Sequence, residues 1–188
     1  MDKSFKLSTD FPLSKRVNAL GLETFNDVLQ WVKALPYGRN SNRSDYRLLL
    51  TQGLGTCSTK HAFLKAIALE NNFEDLELIL GIFRMNAINT PKIKSILDLH
   101  SLPFIPEAHC YLKYKAQIID ITFNGKKERS TFEETLLCEE IILPDDIGDY
   151  KINKHRSYLK SWIKTQKLTF NIDQLWSIRE ACIQKISE

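Results

Sequence analysis

The stretch from Thr56 to Glu70 limits what this chain can fold into more than any other. Ala62, Phe63, Leu64, Ala66, Ile67, Ala68 and Leu69 crowd it on nearly every side. That pattern predicts a helix without a solvent face, which belongs in the interior of a domain with other elements around it. A chain of 188 residues, 43% hydrophobic and 26% charged, is long enough to build that surrounding as one core. No repeat, low-complexity segment or Pro/Gly/Ser-rich linker divides it, so residues 1–188 are expected to form a single domain.

The elements around the buried helix follow from periodicity. Thr24 predicts an N-cap for a helix from Phe25 to Leu35, with Phe25, Val28, Leu29, Val32 and Leu35 on one face and Pro36 and Gly38 as its stop. A short helix is expected from Ser44 to Thr51. Asn71 and Asn72 end the central helix, and Leu76 to Met85 reads as a buried strand. A loop with one helical turn follows through Pro91 to Pro106. Two strands come next, His109 to Lys113 and Ala116 to Thr122, rich in β-branched and aromatic residues and close enough to form a hairpin. The remainder reads as helical: one helix starting at Ser130 or Thr131 with Glu133 and Glu134 in its first turn, one from Asn153 to Gln166, and one from Ile172 to Ile186 capped by Asn171. The fold class is α+β.

Cys57 stands at the first turn of the central helix, directly after Gly53-Leu54-Gly55-Thr56, with Thr56 as its N-cap. Unpaired backbone N–H groups and the positive end of the helix dipole favour a thiolate there, and the same groups can receive the oxyanion of a tetrahedral intermediate. A thiolate nucleophile needs a base, and the base needs a third group to orient it. With a two-residue connection at Tyr114-Lys115, the hairpin places His109 opposite Asp120 on one face. Cys57, His109 and Asp120 are therefore the candidate nucleophile, base and orienting acid.

These residues resemble a family. Gly55-Thr56-Cys57 opening an Ala- and Leu-rich helix, then a strand, then Ala108-His109-Cys110-Tyr111, then Ile119-Asp120-Ile121-Thr122 is similar to the transglutaminase-like superfamily, with its papain-related fold. The resemblance runs from Gln52 to Thr122. It implies a catalytic core over about residues 44–124 with helical extensions at both ends. In that core a central helix carrying the cysteine packs on an antiparallel sheet carrying the histidine and the aspartate. It also implies the roles already given to Cys57, His109 and Asp120, and puts Tyr111 at the family's aromatic position. The chain departs from the family in having Thr56 where many members are acidic, and in a hairpin that is shorter and lacks the usual Gly turn. Gln52 is an oxyanion candidate by analogy with papain-like glutamine, and His61 a pocket-lining neighbour. Nothing resembles the calcium sites of the animal crosslinking enzymes, so no metal and no cofactor is expected.

The expected activity is hydrolysis or acyl transfer on an amide or peptide bond, with a peptide, protein or small amide as substrate. Hydrolysis is expected ahead of crosslinking. The alternative is a non-catalytic binding or scaffolding module with an idle triad. A zinc-type site from Cys57, His61, His109 and Cys110 is disfavoured, because adjacent strand residues point to opposite faces and no CxxC or HxxxH pair is present.

Of the four cysteines, Cys110, Cys138 and Cys182 are expected in the core, Cys138 and Cys182 within amphipathic helices. Arg39 and Arg43 in a polar loop are candidates for holding a substrate anion, with a solvated loop as the plainer account. Arg156, Lys160, Lys164 and Lys167 form a basic stripe that reads as a solvated helix face. With a formal charge of only +3, nucleic acid is not expected as a partner, and oligomeric state is left open. No secretory signal or membrane-length apolar run is apparent, so no membrane association and a cytoplasmic location are expected.

Overall fold

The computed structural model describes residues 4–123 and 131–187. Among these the protein is α+β, with seven α-helices and a four-stranded antiparallel sheet. In chain order they are α1 (Pro12–Asn18), α2 (Phe25–Ala34), α3 (Leu49–Gln52), α4 (Cys57–Glu70), β1 (Leu76–Met85), α5 (Lys94–Leu99), β2 (Ile105–Tyr114), β3 (Gln117–Ile119), β4 (Leu136–Ile142), α6 (Asp149–Thr165) and α7 (Ile172–Ser187). The strand order is β3-β2-β1-β4. The chain gathers into two compact units. The first holds the chain up to Leu80, the stretch from Cys110 onward through β3, and Ile141–Gly148; the second holds Gly81–His109, the stretch up to Glu140, and α6 and α7.

The first unit is organised around α4. Every residue from Ser58 to Ala68 is buried, as its all-round apolar pattern predicts. α1, α2, α3, a 3-10 turn at Tyr46–Leu48 and another at Pro144–Ile147 surround it. Phe63, Leu64 and Ile67 are fully buried, each contributing roughly 2–3 kcal/mol by removal of apolar surface from water. Thr24 caps α2 as expected: its hydroxyl accepts from the Asp27 amide, and the Asp27 carboxylate accepts in return from the Thr24 amide. α4 ends where Asn72 turns left-handed (φ 56°) and the Phe73 amide donates back to the Ala68 carbonyl.

The second unit packs α5, α6 and α7 through Leu97, Leu159, Trp162, Leu175, Ile178 and Ile183, all buried. Asn171 caps α7 by accepting from the Asp173 and Gln174 amides.

Three expectations are corrected. Tyr114 pairs with Gln117, Lys113 with Ile118 and Leu112 with Ile119, so the hairpin turn is Lys115-Ala116, not Tyr114-Lys115. Both turn residues have positive φ (46° and 63°), as the type I′ form of a two-residue hairpin connection requires. His109 therefore does not face Asp120 across the ladder. β3 stops at Ile119, and continuing its register would bring Asp120 opposite Tyr111. The displacement is even, so the facing of each side chain is kept.

Second, Leu136–Ile142 is a strand, β4, rather than a continuation of a helix. Only a 3-10 turn at Thr131–Thr135 precedes it, and Ser130 lies outside the described residues. Third, Cys138 sits on β4 and is exposed, whereas Cys110 and Cys182 are buried as expected.

Candidate active site

Cys57 is the first residue of α4 and is half-buried. Thr56 precedes it as N-cap, its amide donating to Thr59 Oγ1 at 3.0 Å and its hydroxyl accepting from the Thr59 amide at a longer 3.5 Å. The chain entering the helix is held from outside. Gly55 donates to the Pro36 carbonyl and accepts from the Gly38 amide, both at 3.2 Å, in a parallel bridge between Tyr37 and Gly55. Glycine is needed for this approach. A Cβ at position 55 would lie 2.9 Å from Thr59 Oγ1, 3.1 Å from Lys60 Cγ and 3.2 Å from Leu49 Cδ1.

Lys60 and His61 of α4 reach across to the segment that carries Asp120. Lys60 is fully buried, and its ammonium donates to the Leu35 carbonyl at 2.7 Å and to the Thr122 carbonyl at 3.0 Å. Burial pushes this amine down to about 8, against the opposing pull of the Asp120 carboxylate and the Cys57 sulfur.

His61 is also fully buried. Its Nδ1 lies 2.7 Å from the Cys57 carbonyl, which can only accept, so Nδ1 carries the proton. Its Nε2 accepts from the Ile121 amide at 2.9 Å, so that nitrogen carries a lone pair and the ring is neutral. The 3.6 Å approach of Asp120 Oδ1 to Nε2 is therefore a contact of a carboxylate with an uncharged imidazole, not an ion pair. Asp120 Oδ1 itself accepts from the Thr122 amide and hydroxyl. Lys60 and His61 together fasten Asp120-Ile121-Thr122 to the helix that begins with Cys57. The rings of Tyr37 and Phe123 meet at a tilt of 34°, centroids 5.0 Å apart.

The other candidates have different surroundings. His109 lies on the part of β2 that belongs to the second unit, half-buried, its ring edge-on to Phe132 at 4.9 Å and to Phe83 at 6.0 Å. Tyr111 is two residues further along the strand and fully buried. Gln52 is engaged by the neighbouring loop: its carbonyl oxygen accepts from the Asn40 side chain and the Ser41 amide, and its Nε2 donates to Ser41 Oγ. Arg39 and Arg43 are exposed in that loop. The basic stripe is solvated at Lys160, Lys164 and Lys167, while Arg156 pairs with Asp173.

Two other thiols are electrostatically unlike a nucleophile, since burial pushes Cys182 up to about 11 and raises Cys138 as well. Two surface hollows of the first unit are lined by other residues, among them Phe5 and Phe73 in one, Arg16, Tyr46 and Glu70 in the other. Among the described residues no cluster of three or more His, Cys, Asp and Glu side chains could hold a metal ion, and no helix is long and apolar enough to cross a membrane.

Lys60 carries no functional signal in the sequence, and His61, expected to line a pocket, is a fully buried clamp. No protein-family model, curated protein or solved structure was found to match the chain.

Proposed function

We propose that the protein is a thiol-dependent acyl hydrolase or acyltransferase acting on an amide or peptide bond, of the transglutaminase-like kind. The observation that carries this reading is the half-buried Cys57 at the start of α4, with the Asp120 segment fastened to the same helix by Lys60 and His61. In this reading Cys57 Sγ attacks the amide carbonyl, and the Sγ–C bond forms as the C–N bond breaks. His109 takes the thiol proton and returns it to the leaving amine, Asp120 orients the imidazole, and water or a second amine then cleaves the thioester.

A competing reading, a binding module of the same class, draws on the extent to which Asp120 and His61 serve the local fold through their bonds to Thr122 and Ile121.

The two are separated by acylation with an activated ester, followed by intact mass and peptide mapping. The enzyme reading expects a transient acyl group on Cys57 that turns over, is absent in Cys57→Ser, and slows about 10²–10⁴-fold in His109→Gln. A chain in which Cys57 acylates no faster than the exposed Cys138, or keeps its acyl group indefinitely, is the binding module.

A further inference from the structure

At the end of α4 remote from Cys57 the first unit is hollowed. A cavity of about 500 Å³ opens there between α1, α4 and the 3-10 turns at Tyr46–Leu48 and Pro144–Ile147, a size that suits a small organic ligand. Its wall is apolar. Leu13 on α1 and Ala66 on α4 are buried, while Leu69 (38% exposed) and Leu143 (62% exposed) turn large apolar side chains to water. Four charged side chains line the same hollow, and they are unequally engaged. Glu70 is spent on the fold: its Oε1 accepts from the Leu13 amide at 2.9 Å, and its Oε2 from the Ser14 amide and hydroxyl, both at 2.7 Å. It thereby caps α1, whose own N-cap, Phe11, has no side-chain acceptor. Arg47 lies over the Tyr46 ring, 4.8 Å from the centroid, with Asp45 at 3.3 Å and the exposed Asp145 at a longer 3.8 Å. The Arg16 side chain is exposed and makes no hydrogen bond or ion pair among the described residues. Tyr46 is buried, and its hydroxyl likewise makes no hydrogen bond among them.

We infer that this hollow is a binding site for the C-terminus of a peptide that ends in apolar residues: Arg16 takes the terminal carboxylate, and the wall of Leu13, Ala66, Leu69 and Leu143 takes the last side chains. The charge pattern selects that occupant. The guanidinium still to be answered calls for an anion, and the Tyr46 hydroxyl offers a second donor to it. Asp145 at the rim is an acceptor, which the amide N–H of a peptide can satisfy. A simple aliphatic acid has nothing to offer Asp145 but a second negative charge. The site involves no bond-making and stands apart from the acyl-transfer reading, since Ala66 is nine residues from Cys57, about 14 Å along the axis of α4.

The test is titration of the full chain with acetyl-Leu-Leu bearing a free carboxylate, against the same dipeptide as its C-terminal amide and against octanoate, followed by amide ¹H–¹⁵N shifts. Cys57→Ser serves as the background, so that cleavage cannot consume the probe and the thiol is not on trial. The expected result is a saturable shift at Ala66, Leu69 and Leu143, with the acid binding about three- to tenfold more tightly than the amide at low salt. Arg16→Gln should abolish that margin and leave the amide's affinity unchanged. High salt should narrow the margin in the Arg16 protein.

The comparison of acid with amide needs no substitution in the hollow, so it decides even if Arg16→Gln fails to fold. Equal binding of the two, or no saturable shift with either, overturns the inference. Octanoate binding as tightly as the dipeptide acid overturns the peptide assignment in favour of an aliphatic acid. Shifts at Leu69 and Leu143 that grow with protein concentration alone, together with a dimer in sedimentation velocity, place a second copy of the chain in the hollow and overturn it too.

Discussion

Each of the two units buries charge, and they do so in opposite ways. In the second unit Glu107 and Arg179 are both nearly inaccessible, and the guanidinium grips the carboxylate with Nε and Nη2 while Nη1 bonds Glu180. Arg179 also lies over Trp176, 5.2 Å from the ring centroid, with Arg156 at 5.1 Å from the same centroid. Burial alone would raise the Glu107 carboxyl; the Arg179 charge outweighs it and holds the group below the usual carboxylate range. This is a closed pair, in which fixed side chains answer one another in a fork-to-fork geometry. Lys60 in the first unit has a cradle of two backbone carbonyls, and burial outweighs the pull of Asp120 and Cys57 on its amine. The closed pair answers a charge with a charge, whereas the buried ammonium is answered at hydrogen-bond distance by backbone carbonyls.

The contrast is broken most directly by Arg179→Met. It strands the Glu107 carboxylate and should cost about 3–5 kcal/mol in urea unfolding, most of it recovered in Glu107→Leu/Arg179→Met. Lys60→Met should stay within about 1 kcal/mol of the parent protein, because the lost carbonyl bonds are offset by removal of a buried charge. Equal losses in the two variants would erase the distinction.

His61→Phe comes next. It leaves the Ile121 amide and the Cys57 carbonyl without their side-chain partner, for a loss of about 1–3 kcal/mol by the same measurement. An unchanged urea midpoint would mean that the clamp on the Asp120 segment contributes nothing.

The pH dependence sharpens the comparison further. Burial lowers the His155 imidazole from 6.5, and Glu107 is held below its ordinary 4.5. The unfolded chain therefore binds more protons than the folded one at acid pH, and the second unit's stability, fully present above 6.5, declines as pH falls. Lys60 acts on the other side: its amine falls from 10.5 to about 8 in the folded protein, so its penalty is complete below 8 and stability should rise from 8 towards 10.5. Urea midpoints between pH 4 and pH 10 should have a shallower acid slope in His155→Phe, with the Glu107 part remaining, and a smaller alkaline rise in Lys60→Met, with the part from Lys65, also lowered by burial, remaining.

The smallest effect belongs to the hairpin. Lys115→Asn with Ala116→Gly relieves two left-handed residues and should add about 1 kcal/mol, read as a higher Tm.

That hairpin also marks where sequence reasoning stops. α2, α4, β1, α6 and α7 were legible because each carries a period, a cap or an unbroken apolar run. The turn falls one residue later than the pattern suggests, because Lys115-Ala116 has no Asn or Gly to announce a positive φ. β4 is not legible in the sequence, because much of it is solvent-facing, which blurs its alternation, and because Glu133 and Glu134 before it imitate the acidic first turn of a helix. At the candidate site, Cys57 and its cap were legible from local pattern. The clamp was not, since Lys60 meets a carbonyl 25 residues earlier and another 62 residues later, and backbone acceptors leave no trace in composition.

Gly55 has a consequence for how such a chain can change over generations. A methyl group there would collide with the hydroxyl of Thr59 and press on the stems of Lys60 and Leu49, so positions 55 and 59 are epistatic. An alanine at 55 becomes tolerable in a background already altered at 59, and a lineage that had lost the threonine hydroxyl would be the one free to drift away from glycine.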